Sequence, residues 1–240
     1  MRLLYKLITA VMSKMILTTF LLSILFTLVT WSQVGSMAGK GYPGNPYQVT
    51  SAVDLQAIAR TINSGHQQTA EFIQMNDIDM SSIANFIPIG SDSNSFKGVF
   101  NGNGFEIKNL SVSVSNNNGG LFGVAEDATI KNIRLVNAQI IAEGDNAGAV
   151  LAYGKNRCAI INCHSSGKVQ AKNNAGGLVG YNHASDFYIG EANPASAATY
   201  IIKSSSSSNV YSKTNTGGIA GVAYGSIKDS FFTGFISYPP

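Results

Sequence analysis

Apolar residues along this chain fall in short runs between Gly, Asn and Ser, and most of the sequence lacks the i, i+3, i+4, i+7 recurrence of an amphipathic helix. The runs return at an interval. "NNGGLFG" (117–123), "NAGAVLA" (146–152), "NAGGLVG" (174–180) and "NTGGIAG" (215–221) are one motif written repeatedly, with leading glycines Gly119, Gly148, Gly176 and Gly217. Between them lies a second motif, "IKNL", "IKNI", "IINC", "IIKS" and "IKDS", aligned on Ile107, Ile130, Ile160, Ile201 and Ile227. A further β-branched residue comes after each of the last four, at Ile140, Val169, Val210 and Ile236. A repeat of about 28 residues is too short for the helix pair of a tetratricopeptide unit. The pattern instead predicts an all-β solenoid with one repeat per coil, in which coils stack at roughly 4.8 Å and equivalent side chains lie above one another.

Such stacking predicts three interior columns: Leu121/Val150/Leu178/Ile219, Ile130/Ile160/Ile201/Ile227 and Ile140/Val169/Val210/Ile236. Asn109, Asn132 and Asn162 are expected to form a turn ladder with amides bonded along the stack. The glycine clusters mark corners, where the backbone needs positive φ or a close approach. The longest gap between repeats holds "ASDFYIGEANPAS" and predicts a looped insertion near 184–198. "IIKSSSSSNV" (201–210) keeps the register of Ile201 and Val210, so it reads as a serine-rich strand rather than a linker. One segment breaks the β pattern. In "TSAVDLQAIARTINSG" (50–65), Leu55, Ile58, Ala59 and Ile62 have helical spacing, Thr50 or Ser51 can cap the start, and Gly65 stops it. A helix there should cover the open first coil as an N-terminal cap.

Composition changes this picture mainly at the N-terminus. The formal charge of +3 comes from Arg2, Lys6 and Lys14, ahead of the apolar run Met15–Trp31 and the small residues Ser36 and Ala38. That order reads as a signal peptide over residues 1–38, with an uncleaved N-terminal membrane anchor as the alternative. The expected divisions are then 1–38, a cap with the first coils over 39–112, and repeats over 113–240. The remainder carries 13 Lys and Arg against 13 Asp and Glu, without the basic stripe of a nucleic-acid binder. Export would permit a disulfide between Cys158 and Cys163. The alternative is a pair of thiols.

These residues resemble the bacterial GLUG-motif repeat proteins. The likeness rests on "GGLFG", "GGLVG" and "GGIAG", the lead-in "FKGVFNGNGFEIKNL", and the opening "NPYQVTSAVDLQAIA" and "FIQMNDIDM"; "GAVLA" departs from it at Ala149 and Ala152. The resemblance implies a right-handed parallel β-helix in a secreted or surface-attached protein, often adhesive. Similar repeats also accompany, without being, the catalytic domains of immunoglobulin-cleaving metallopeptidases. It transfers no catalytic residues.

The residues themselves likewise form no catalytic constellation. His66, His164 and His183 are scattered, with no H-E-x-x-H; Cys158, Cys163 and His164 lack zinc-finger spacing and a fourth ligand. No metal or cofactor is therefore expected. "GNGFEI" and "GGLVG" lack the Lys-Ser/Thr of a phosphate loop. A glycan-active β-helical enzyme would need two carboxylates across a groove, for which Asp77 and Asp79 read better as turn or capping residues. Tyr153 and Tyr181 hold one position in successive repeats and are the candidate ligand-binding residues. They are expected to stack on an outer corner as an aromatic platform suited to glycans or cell-surface proteins. The alternative is a pair that only stabilises the surface. The expected function is an exported, non-catalytic adhesion or binding scaffold, with a glycan-active lyase or hydrolase, or the repeat region of a longer surface protease, as alternatives. Self-association is expected at the C-terminal end, where "SYPP" comes after Ile236.

Overall fold

The computed structural model describes residues 36–115, 118–183 and 199–237, together with Arg2 and Lys14. The chain divides into Met1–Ser36 and Met37–Pro240. Most of the leader-or-anchor segment, the insertion near 184–198 and the terminal "YPP" lie outside the described residues. Among the described residues no helix is long and apolar enough to cross a membrane.

The second unit is a parallel β-solenoid, and among its described residues every strand ladder is parallel. A coil such as the one after Ala128 visits four sheets in turn. Thr129–Lys131 belongs to a seven-stranded sheet and Arg134–Ala142 to a nine-stranded one. Asn146–Gly148 and Leu151–Lys155 then enter two four-stranded sheets before the next coil begins at Ala159–Ile161. In the strands, alternate side chains point inward and are buried, which is why short apolar runs suffice to build the core.

The predicted columns recur in the structure, and they are interior except at the last coil, where Ile227 and Ile236 are exposed. Ile130, Ile160, Ile201 and Ile227 are register partners, as are Ile140, Val169, Val210 and Ile236. Backbone bonds stack Leu121, Val150, Leu178 and Ile219 through the Gly–Leu corners. Toward the N-terminal coils the column passes from Ile130 to Phe100 and Phe72, where Phe72, Phe96, Phe100 and Phe122 pack with ring centroids 5.1–6.4 Å apart.

One alignment is corrected. Ile107 does not stand beneath Ile130, because Phe100 occupies that position. Ile107 pairs with Ile78 and Leu135 in the nine-stranded sheet. The text "IKN" occurs at two different bends, since Asn109 (φ 58°) and Asn132 (φ 56°) both adopt the left-handed conformation that Asn tolerates. The expected ladder therefore splits. Asn162 donates to Asn132 and Asn132 to Asn101, each at 2.9 Å, whereas Asn137 donates to Asn109 at 2.8 Å and Asn109 to Asp79 at 3.0 Å. A third column opens each glycine motif: Asn215 donates to Asn174 (2.7 Å), Asn174 to Asn146 (2.8 Å) and Asn146 to Asn118 (2.9 Å).

The helix spans Ala52–Asn63. Ser51 caps it in a reciprocal box with Asp54, and Gly65 leaves it at φ +85°. Leu55, Ile58, Ala59 and Ile62 are fully or almost fully buried, and the helix comes directly after Tyr47–Val49, the outermost strand of its sheet. It is thus the cap of the first coil. The serine tract folds inside: Ser204, Ser206, Ser208 and Ser212 are buried, and the Ser165 hydroxyl bonds Gly177 O (2.7 Å) and Ser206 Oγ (3.0 Å). Hydroxyls that satisfy one another make a polar interior tolerable.

Cys158 and Cys163, whose sequence positions allowed either a disulfide or two thiols, flank Ala159–Ile161 and are buried thiols. The Cys163 sulfur lies against Ile130 O at 3.6 Å, and the Cys158 sulfur against Lys155 O at 3.4 Å. Burial pushes Cys158 up to about 11 and Cys163 up to about 12. Both stay protonated in the folded chain, so native protein should be nearly inert to a thiol reagent at pH 8 and react at both cysteines once unfolded. Raised folded values also mean that this contribution to stability is full below the unfolded value near 9.0 and is lost as pH climbs through 11 to 12. Rapid labelling of native protein would contradict the burial.

Candidate binding face

The solenoid sets a row of aromatic rings on the outer side of the sheet formed by Phe122–Glu126, Leu151–Lys155, Val179–His183 and Ala220–Ala223. Tyr153 and Tyr181 are register partners at the centres of their strands, on a flat face rather than the corner that the repeat pattern suggests. Their ring centroids are 5.7 Å apart. Tyr224 extends the row, 6.2 Å from Tyr181 and 57% exposed. The rings are inclined by 57° at each step, so each offers its own face instead of sharing one plane.

The strand pleat brings a second outward position alongside. Lys155 and His183 are register partners two residues beyond the tyrosines. His183 stacks on Tyr181 at 6.2 Å with 17° between planes and meets Tyr224 edge-on. Lys155 Nζ lies 5.6 Å from the Tyr153 centroid, within cation–π range. The same ammonium donates to Asp92 O at 3.3 Å and stands 3.9 Å from its carboxylate. Partial burial raises the Tyr153 phenol, with Asp92 adding to it; burial, then the neighbouring Tyr224 and Tyr153 phenols, raises Tyr181. Both remain protonated hydrogen-bond donors at neutral pH. Beyond Tyr153 the face meets a depression of about 210 Å³ lined by Asn63, Pro88, Asp92, Asn118 and Val124.

Other chemistry-bearing residues are placed elsewhere. Asp77 accepts from Glu106 N–H (2.9 Å) and pairs with Lys108 (3.2 Å), and those contacts, in that order, hold its carboxyl below the usual range. Asp79 is lowered by the Asn109 amide and then by Ser81. Both carboxylates thus serve turns and ladders. His164 bonds Ser205 Oγ at 2.7 Å and Asn162 Oδ1 at 3.2 Å, and burial, then Arg134, lowers its pKa. His66 is exposed beside Ser64. Among the described residues no three His, Cys, Asp or Glu side chains gather as a metal site.

The fold and this face define the class: a parallel β-solenoid with an aromatic strip on one outer sheet. No protein-family model matches the chain. It is similar to halomucin of Haloquadratum walsbyi, at 38% identity over 150 residues, which is 59% of this chain and 2% of that protein. It is also similar to a protein named "Putative Gly-rich membrane protein" of Evansella cellulosilytica, at 30% identity over 131 residues, or 52% of this chain and 15% of that one. Among solved structures, one described as a "putative immunoglobulin A1 protease" from Bacteroides ovatus superposes with a TM-score of 0.66 and 24% identity over 82% of this chain and 59% of that chain. The chain spans a small part of the two sequence relatives, and the structural likeness is one of fold.

Proposed function

We propose that this chain is an exported, non-catalytic binding scaffold of the GLUG-repeat type, whose contact surface is the aromatic row and whose partner is a cell-surface or matrix glycan. The observation that carries the reading is the alignment of Tyr153, Tyr181 and Tyr224 from three successive coils on one outward face. Such rings combine a large apolar area with a polar tip, which suits the mixed faces of sugars. A rigid solenoid positions them without an ordering cost at binding. Export is supported by the basic-then-apolar N-terminal text and by the resemblance to surface proteins. A second reading, the non-catalytic repeat region of a longer surface protein, is favoured by the 2% and 15% of the relatives' length that the chain matches.

The test is a glycan and matrix-protein array probed with the full chain and with a Tyr153→Ala/Tyr181→Ala double variant. Binding to a glycan class should fall about tenfold or more, equivalent to ~1.4 kcal/mol, while the variant still melts cooperatively. Undiminished binding by the variant would remove the aromatic row from the function. Turnover of any polysaccharide would replace the scaffold by the enzymatic alternative.

A further inference from the structure

The electrostatics of the same face narrow its ligand. Building on the glycan-binding reading, we infer that the face takes a linear polysaccharide bearing carboxylates, laid along the solenoid axis with successive sugars on Tyr153, Tyr181 and Tyr224 and an acid group against Lys155. Direction comes from the repeat. Tyr153 and Tyr181 recur at one register position with rings 5.7 Å apart, and Tyr224 reaches the row at 6.2 Å from the neighbouring position of the next coil, so successive units of a linear partner each meet a ring. The 57° inclination between neighbours presents separate ring faces, which fit separate puckered sugars and not one extended flat ligand.

Charge comes from the adjoining column. Glu126, Lys155 and His183 are register partners along it. Glu126 is held by Lys97 at 3.0 Å, which neutralises that end. Lys155 faces a distant carboxylate, Asp92 at 3.9 Å, whose side chain is 66% exposed and competes with water. Its ammonium is meanwhile fixed beside the Tyr153 ring by the Asp92 carbonyl. A sugar seated on that ring can bring a carboxylate to Lys155 in place of Asp92. The protonated phenols and His183 supply further polar contacts but no negative charge.

The experiment measures binding of the full chain to oligogalacturonate, to the same oligomer fully methyl-esterified, to a neutral cello-oligosaccharide and to a polyglutamate peptide. Variants are Lys155→Gln, Tyr181→Ala and, as a charge control on another sheet, Lys131→Gln, with a melting curve for each. Oligogalacturonate should bind about tenfold tighter than its ester, and the difference should shrink with added salt. Lys155→Gln should abolish that difference, Lys131→Gln should leave it, and Tyr181→Ala should weaken every glycan. Equal binding of acid and ester would overturn the acidic-ligand inference while leaving a glycan-binding face. Polyglutamate binding as tightly as oligogalacturonate would overturn it in favour of an acidic protein partner. Failure of all the glycans, both in this series and on the array, would overturn both readings.

Discussion

Leu178→Asp is expected to cost roughly 4 kcal/mol or more and to leave little folded protein at physiological temperature. Leu178 is fully buried in its column, and its backbone is fixed by Leu178 N to Ile219 O (2.9 Å) and by Val150 N and Leu151 N to Leu178 O (both 3.0 Å). The side chain cannot swing outward without breaking the corner that these bonds define. A carboxylate there either ionises without a partner or is held protonated, and both outcomes destabilise the fold. Tyr181→Ala, three residues away on the outer face, should cost only about 1 kcal/mol, the value of its ring contacts with Tyr153 and Tyr224. Far-UV circular dichroism melts of the two variants make the comparison. Similar losses would mean that the inward and outward faces have been exchanged.

Gly176→Ala should be nearly as damaging, at roughly 3 kcal/mol. A Cβ at Gly176 would lie 1.9 Å from Val179 O and 2.7 Å from both Ala220 Cα and Gly221 N. All three are backbone atoms, so no rotamer change relieves the clash, and the coil itself must move. Gly104 is the control. Its φ is +81° but a Cβ there meets nothing within 4 Å, so Gly104→Ala should cost about 1 kcal/mol for left-handed backbone alone. Denaturant midpoints at unchanged slope are the readout. If Gly104→Ala proved the worse variant, conformational freedom rather than close approach would explain glycine in the repeats.

That contrast marks how far the sequence could be read. The repeat spacing located the three interior columns and the Tyr153–Tyr181 pair, because a solenoid converts equal spacing into direct contact. It left open whether the corner glycines need positive φ or room, since both demands select glycine; at Gly148, Gly176 and Gly217 the answer is room. Asn109 was placed in the wrong ladder because two bends of each coil want the same left-handed residue. Tyr224 escaped notice for a geometric reason. In the aligned repeats it matches His183, while Val222 matches Tyr181, so only the diagonal reach of its ring brings it into the row. The buried serines were legible as a strand but not as an interior, because satisfaction of Ser165 depends on Gly177 O across the same coil and on Ser206 of the next.

The asparagine columns give the solenoid a polarity. In every one the amide nitrogen donates to the preceding coil: Asn215 to Asn174 to Asn146 to Asn118, Asn162 to Asn132 to Asn101, and Asn137 to Asn109. The first ends on the Asp92 carboxylate at 3.4 Å and the last on Asp79 at 3.0 Å. Side-chain dipoles in such a file point the same way and reinforce one another. No member can turn over alone, for its NH₂ would then confront the NH₂ of its neighbour. Each file therefore has two collective orientations, and in the first and the last an anion at the foot selects one. Orientation fixed at Asp92 is thereby felt at Asn215, four hydrogen bonds away, through side chains that never leave their own coil.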